Sequence, residues 1–313
     1  ISCNMNEIVT SKSDWSTPLL EELIQYSNDH GTTELVVDCN QQRLIKPVGT
    51  AIETDIFAVQ KGILSLLIGI AEEKYLLETC DAINHHLDPE WTALSPWHEA
   101  SVTIETLLAM TTGMDEQLQP LGEVGGGWRY NNTAYNYLKK ILCLHTGLSL
   151  NELSREWLFN PLGMKNTRWE AREQKLPDGT AITGLQSTAD DLAKIGRLVL
   201  NDGVWNDMQI VPKHYLNQMT QGASADNPAW GFCWWNNCAD QFMLPMKDKI
   251  YPGNVVPTAP EDLISVRGAF GNLLYILPRY SLVVARTRKI EAGKSAPDFE
   301  SEFWRRLLLA KLN

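Results

Sequence analysis

The sequence lacks any apolar stretch long enough to cross a membrane. The longest run, from Ile63 to Ala71, is about half a membrane span and is interrupted by Ser65. Basic residues are also scarce, because 27 Lys and Arg stand against 38 Asp and Glu, for a net charge of −11. Nucleic acid and anionic membranes repel an acidic surface, so neither is expected as a partner. We predict a soluble protein, cytoplasmic or exported, whose oligomeric state the sequence leaves open.

Several motifs of known chemistry are missing as well. The six cysteines include no CxxC pair and are too dilute for a disulfide scaffold. No HExxH segment supplies zinc ligands, no GxSxG elbow presents a serine, and no GxGxxG loop binds a dinucleotide. These enzyme classes are therefore set aside, and we expect neither a metal nor an organic cofactor.

Strand signals lie near both chain ends, whereas helical periodicity dominates from about 103 to 220. The economical architecture is an α/β (α+β) fold with one antiparallel sheet built from both ends, covered by the terminal helices and flanked by a helical lobe. We predict a discontinuous sheet domain of residues 1–75 and 240–313 and a mainly helical domain of residues 76–239. The site is expected in the crevice between them.

Three short segments suggest chemistry: 57–61 (FAVQK), 128–132 (WRYNN) and 265–269 (SVRGA). A long buried helix is predicted from about residue 58, and residues three apart on a helix share a face. A side chain at Ala58 would therefore face the Lys61 amine. It would also lie near backbone N–H groups that stabilise an oxyanion. Burial and a nearby phenol favour the neutral amine, the form that accepts a proton.

The second segment supplies partners for Lys61. Tyr130 is the natural phenol to pass a proton to a leaving group, and Asn132 can bind a substrate carbonyl or hold Lys61. Taken alone, Tyr130 is equally typical of a surface loop that follows three glycines. Ser65 is a tempting substitute nucleophile, but a buried helical serine can simply bond back to a backbone carbonyl.

The third segment supplies a glycine-rich strand. Gly268 permits close approach of a substrate, and the N–H of Gly268 or Ala269 is a candidate second oxyanion donor. Arg267 either pairs with a substrate carboxylate or is a solvated strand residue, and both interpretations stay open. Trp234 and Trp235, if extended, would place one ring in the pocket and the other in the core.

These segments resemble the serine hydrolases related to class C β-lactamases, DD-peptidases and family VIII esterases, and among them the 6-aminohexanoate-dimer hydrolase-like proteins. Their segments are S-x-x-K, Y-x-N and a strand such as K-T-G, from which Arg267-Gly268 departs. Further similar segments are 107–113 (LLAMTTG), 161–164 (PLGM), 184–193 (GLQSTADDLA) and 230–235 (WGFCWW). The resemblance implies a β-lactamase/transpeptidase-like fold and hydrolysis of a small-molecule amide or ester through an acyl-enzyme.

Position 58 holds alanine where the resemblance implies the nucleophilic serine. Alanine has no nucleophile and no proton to give, so this chain is expected to be inactive or nearly so. In one hypothesis the alanine is an engineered replacement, which the retained Lys61, Tyr130 and Asn132 favour. In the other, the chain is a naturally inactive binding or regulatory protein. A β-lactamase or DD-peptidase ranks third, because a β-lactamase usually carries a cleaner K-T-G segment.

Overall fold

The structure is a computed structural model that describes residues 5–9, 14–290 and 298–312. Its strands are β1 (Asn6–Ile8), β2 (Glu34–Cys39), β3 (Gln42–Pro47), β4 (Thr54–Asp55), β5 (Arg168–Lys175), β6 (Ala181–Ser187), β7 (Val204–Trp205), β8 (Met208–Gln209), β9 (Trp235–Asn236), β10 (Gln241–Met243), β11 (Ile250–Pro252), β12 (Ile264–Gly268), β13 (Asn272–Leu277) and β14 (Leu282–Thr287). Its helices are α1 (Thr17–Asp29), α2 (Val59–Glu73), α3 (Pro96–Glu99), α4 (Ile104–Ala109), α5 (Asn132–Thr146), α6 (Leu150–Ser154), α7 (Asn160–Leu162), α8 (Ala189–Leu200), α9 (Lys213–Thr220) and α10 (Glu300–Ala310). A π-helical turn (Arg155–Phe159) joins α6 to α7.

The central layer is a seven-stranded antiparallel sheet in the order β1-β3-β2-β14-β13-β12-β9. Strand β14, from the C-terminal part of the chain, pairs with β2 from the N-terminal part over six residues. The predicted antiparallel sheet made from both chain ends is therefore confirmed. No helix in the described ranges is long and apolar enough to cross a membrane.

Side chains alternate between the two faces of the sheet and so divide the core. On one face, Val37, Tyr275 and Val284 pack with the apolar stripes of α1 and α10. On the other face, Leu274 and Val283 join the cluster that includes α2, α4, α5 and α8. Since both faces are covered, the sheet is a buried layer and not an amphipathic one.

Helix α2 lies inside this second cluster and is buried from Val59 to Ala71. A β-carbon added at Gly62 would lie 2.6 Å from Val266 Cγ2, so the missing side chain lets α2 approach β12 closely. The helix begins immediately after Ala58, as the apolar run predicts. This contact holds the start of α2 against the end of β12.

The middle of the chain contains more sheet than its helical periodicity indicates. Strands β5 and β6 form an antiparallel hairpin, and β4 pairs with β6 beside the start of α2. Strand β5 was not predicted because its sequence, RWEAREQK, is almost entirely polar. Helix α8 packs on the large sheet, and β9 is the edge strand of that sheet. Both elements come from residues 76–239 but are associated with the sheet. The division into a sheet domain and a helical domain of residues 76–239 stays a prediction.

Candidate active site

A cavity of about 610 Å³ lies where α2, α5, the β5–β6 hairpin and β12 meet. Its lining includes the three residues on which the sequence argument depends, Ala58, Lys61 and Tyr130. Asn132, Trp235, Arg267, Gly268 and Ala269 line it as well. Residues more than 200 positions apart in the sequence therefore share one concave surface.

The chain enters α2 through an unusual backbone conformation. Phe57 has a φ of 50°, which is uncommon for a residue with a side chain. The Asp55 carboxylate holds this turn, because Asp55 Oδ1 accepts a hydrogen bond from the Phe57 N–H at 2.8 Å. Ala58 follows as the residue before the helix, and its own N–H has no acceptor among the described residues. Position 58 is therefore presented to the cavity with a free backbone donor.

Lys61 is buried, with only 4% of its surface exposed, and points toward α5. Its Nζ donates a hydrogen bond to Asn132 Oδ1 at 2.7 Å. The same Nζ lies 4.9 Å from the ring centroid of Tyr130 and 4.7 Å from that of Tyr135. Asn132 is fixed in turn by Glu116, whose Oε1 accepts from the Asn132 backbone N–H at 2.8 Å. The amine is thus enclosed by two phenol rings and an anchored amide.

Strand β12 meets the start of α2 through its last residue. A β-carbon added at Gly268 would lie 2.5 Å from the Ile56 carbonyl oxygen and 3.2 Å from the Ala58 nitrogen. Only glycine allows this approach, and the backbone at Gly268 therefore packs against the backbone of residues 56–59. Arg267 lines the cavity but forms an ion pair with Glu300 of α10. The guanidinium is therefore a paired group, in contrast to the solvated residue that the sequence left as one possibility.

The two neighbouring tryptophans point in opposite directions. Trp235 lines the cavity, where its ring lies 4.9 Å from that of Trp230. Trp234 is fully buried, and its indole N–H donates to the Gly62 carbonyl at 3.1 Å. The sequence predicted one ring of this pair in the pocket and the other in the core, and Trp235 is the ring in the cavity. Trp234 was also a candidate substrate contact, and this assignment is wrong, because its ring packs against α2 and does not line the cavity.

The comparison with family models gives one match over most of the chain. Residues 33–300 match the model of the Beta-lactamase family. The chain belongs to the β-lactamase family. A comparison with curated proteins gives no significant match.

Solved structures share the fold of this β-lactamase family member at low sequence identity. A candidate β-lactamase from Bacteroides dorei is 15% identical with a TM-score of 0.72, covering 95% of this chain and 99% of its own. A candidate 6-aminohexanoate-dimer hydrolase from Bacillus anthracis is 18% identical with a TM-score of 0.69, covering 93% and 80%. EstCE1, a hydrolase with promiscuous acyltransferase activity, is 15% identical with a TM-score of 0.67, covering 93% and 97%. These likenesses confirm the β-lactamase/transpeptidase-like fold.

Two other side chains of this β-lactamase family member could be considered as nucleophiles, and neither is suited. Ser65 is fully buried, and its hydroxyl is hydrogen-bonded to the Tyr215 hydroxyl at 2.9 Å. Cys233 lines the cavity, but burial raises the pKa of its thiol to about 12. A thiol with this pKa is almost entirely protonated at neutral pH, and the thiolate is the nucleophilic form.

Sequence reasoning missed the polar residues that surround the cavity from β5, β6 and α5. Arg172 lines the cavity from β5 and forms an ion pair with Asp55 at 2.8 Å. Lys139 of α5 is buried beside it and donates to Gln60 Oε1 at 2.6 Å. Gln60 itself is the second variable residue of the Ser-x-x-Lys-like segment. A charged residue within a helix that is otherwise apolar on that face was the only available signal for Lys139.

Potential metal ligands come together elsewhere. In the described part of the chain, Glu78, Cys80 and Asp81 place one ligand atom each within 4.8 Å of one another. Glu78 and Cys80 are exposed, and none of the three lines the cavity. Exposed acidic groups often cluster without binding an ion, and this cluster lies outside the cavity.

Proposed function

We propose that the cavity is the substrate site of a Ser-x-x-Lys serine hydrolase that cleaves a small amide or ester through an acyl-enzyme. In this proposal Ala58 is an engineered replacement of the nucleophilic serine, so the chain binds substrate without turning it over. The observation that carries the proposal is the enclosure of the Lys61 amine by Asn132 and Tyr130 beside position 58. A binding protein has no chemical need for a buried amine at this place.

The arrangement supports a defined sequence of proton transfers once residue 58 carries a hydroxyl. The hydroxyl oxygen attacks the substrate carbonyl carbon while its proton passes to Lys61 Nζ. The carbonyl oxygen becomes an oxyanion, for which the N–H groups of residue 58 and Ala269 are the candidate donors. Tyr130 then delivers its proton to the leaving nitrogen or oxygen and takes up the proton held by Lys61, and the carbon–leaving-group bond breaks. In the second half, water attacks the ester carbonyl carbon and gives a proton to Tyr130, while Tyr130 passes its own proton to Lys61. Lys61 returns this proton to the oxygen of residue 58 as the ester bond breaks.

The shape of the cavity favours a small substrate with an apolar part. Trp230 and Trp235 form one wall, together with Leu244, Pro245 and Met246 from the loop after β10. Large aromatic surfaces of this kind bind apolar groups well.

Val266, and not a lysine, stands before Arg267-Gly268, so the departure from K-T-G argues for a linear amide or ester over a β-lactam.

The test is the Ala58→Ser variant, assayed against p-nitrophenyl esters, short linear amides and nitrocefin. We expect hydrolysis of at least one substrate and a covalent adduct of a fluorophosphonate probe on residue 58, detected by peptide mass spectrometry. The double variant Ala58→Ser/Lys61→Met is the matched control, because it has the hydroxyl but lacks the base. Its rate is expected to be lower by a factor on the order of 10³.

Two outcomes would redirect the proposal. If Ala58→Ser turns over no substrate and takes up no probe, the chain is better described as a naturally inactive binding or regulatory protein. If nitrocefin is the one substrate cleaved, the activity is that of a β-lactamase. Hydrolysis that persists in the Lys61→Met double variant would contradict the role of the lysine as base.

A further inference from the structure

The cavity lining carries basic side chains beyond Lys61, and the proposed function gives them no role. Among the described residues, the lining contains four basic side chains and no Asp or Glu. They are Lys61, Arg172, Lys247 and Arg267. Arg172 and Arg267 are ion-paired with Asp55 and Glu300, which lie outside the lining. A basic group at a concave surface binds an anion through the donors that its protein partner leaves free.

Arg172 is held in place by three contacts. Its Nη2 donates to Asp55 Oδ1 and Oδ2 at 3.0 and 2.8 Å, and its Cζ lies 5.6 Å from the Phe57 ring centroid. The guanidinium lies over Gly184 of β6, where an added β-carbon would be 2.6 Å from Nε. Gly184 therefore leaves the space that the planar group occupies. The arginine is preorganised before any ligand binds.

One edge of this guanidinium remains open. Its Nη2 is taken by Asp55, and its Nε is buried over the hairpin. Nη1 has no hydrogen-bond acceptor in the part of the chain that the structure describes, and it is not among the buried atoms. An arginine fixed at one end with free donors at the other is well suited to bind a carboxylate.

The unpaired donor of Arg267 is less accessible than that of Arg172. Glu300 pairs with its Nη2, and Glu300 also accepts a hydrogen bond from the Tyr275 hydroxyl at 2.8 Å. The free Nη1 of Arg267 is buried. Its guanidinium also lies 5.9 Å from the Trp235 ring centroid, on the aromatic side of the cavity. Of the two arginines, Arg172 is therefore the better candidate for a ligand's charge.

The two walls of the cavity differ in chemistry. The wall formed by β5 and β6 carries the polar Arg172, Gln174 and Thr183 together with the apolar Ile182. The other wall carries Trp230 and Trp235 and is aromatic. A ligand with one charged end and one apolar end matches both walls at once.

We propose that Arg172 is a specificity-determining residue that binds a carboxylate, so that the substrates are amides or esters with a free carboxylate on one side and an apolar group on the other. This inference rests on the proposed function only in taking the cavity as the substrate site. Beyond the proposed function, the inference gives the charge of the substrate and names Arg172 as the residue that selects for this charge.

The experiment uses the chain with Ala58, which binds without turnover. Isothermal titration calorimetry compares N-phenylsuccinamic acid with N-phenylbutanamide, the same anilide with a methyl group in place of the carboxylate. We expect the acid to bind at least about 10-fold more tightly, as a charge-assisted hydrogen bond provides. Arg172→Gln is expected to reduce the ratio of the two dissociation constants to about one, with little change for the neutral anilide.

Arg168→Gln is the matched control. Arg168 lies on the same strand and pairs with Glu170 at 2.7 Å, but it does not line the cavity. Its replacement should preserve the ratio. Equal loss of both ligands in Arg172→Gln would indicate a structural role for the arginine and would overturn the proposal.

Three further results would also overturn it. The first is that the acid and the neutral anilide bind the unmodified chain with similar dissociation constants. The second is that the acid does not bind at about millimolar concentration. The third is that Arg267→Gln abolishes the preference for the acid while Arg172→Gln preserves it. None of these depends on catalysis. Failure of Ala58→Ser to hydrolyse any substrate would contradict the proposed function while leaving the carboxylate site intact.

Discussion

Replacement of the buried Lys139 is predicted to change the pH dependence of folding stability. Lys139 is 7% exposed, and its Nζ donates to Gln60 Oε1 at 2.6 Å and to the Thr183 carbonyl at 2.8 Å. It forms no ion pair with any residue in the described ranges. Burial lowers the pKa of its amine well below the ordinary value, and the nearby charges of Lys61 and Arg172 lower it further.

The sign of the effect follows from proton linkage. The folded-state pKa of Lys139 lies below the unfolded one, so the unfolded chain binds more protons between the two values. The contribution of this amine to stability is therefore complete above the unfolded pKa and is lost as the pH falls toward the folded pKa. The limiting slope is about 1.4 kcal/mol per pH unit for one proton.

The measurement is urea unfolding of the unmodified chain and of Lys139→Met from about pH 7 to about pH 10, the range below the ordinary lysine pKa. We expect the free energy of unfolding of the unmodified chain, relative to the variant, to rise with pH at up to about 1.4 kcal/mol per unit. The absolute difference in unfolding free energy between the two chains also includes the lost hydrogen bonds to Gln60 and Thr183. Only the dependence of this difference on pH tests the titration of Lys139.

Lys139→Leu is the matched control, because it removes the same amine and fills the space differently. The two variants should differ from each other by a constant amount and share one slope relative to the unmodified chain. A difference that does not vary with pH, or that falls as the pH rises, would refute the lowered pKa of Lys139 in the folded protein.

Three other predictions concern the active-site neighbourhood. Gly268→Ala in the Ala58→Ser background should lower kcat by a factor on the order of 10² or more in steady-state assays. The added β-carbon would displace β12 from the backbone at 56–59, and this shift would also move the oxyanion donors. Ser65→Ala in the same background should change kcat by less than about twofold relative to Ala58→Ser alone. It should lower the free energy of unfolding by about 1 kcal/mol in denaturant titrations, because only the hydrogen bond to Tyr215 is lost. Cys233 should stay unmodified by iodoacetamide at about pH 8 in the folded protein, as followed by peptide mass spectrometry, because its thiol is buried and its pKa is raised to about 12.

Local patterns predicted the element that carries the first chemical segment. The apolar run after Ala58 indicated α2, and helical spacing placed Lys61 on the side of position 58. The strand signals near both chain ends predicted the large sheet, whose strand β2 (Glu34–Cys39) is one of these apolar, β-branched runs. The family resemblance was confirmed independently by the match over residues 33–300.

The remaining site residues depend on contacts between distant segments and left little local signal. Arg172 lies on a polar strand, and its role depends on Gly184 across the hairpin and on Asp55 far back in the chain. Arg267 was left with two interpretations because its partner, Glu300, lies on a different element. Such pairings are set by the packing of whole elements, which spacing within one segment does not encode.

The burial of α2 from Val59 to Ala71 gives the site a fixed part, in contrast to an adjustable loop on the other side of the cavity. Val59 to Ala71 is packed on every side, so the position of Lys61 cannot drift to suit a new ligand. The loop that carries Leu244 to Lys247 faces the same cavity, and Met246 at its tip is 89% exposed. Insertions and substitutions there alter what fits without disturbing the interior. Directed evolution of ligand range should therefore begin at this loop.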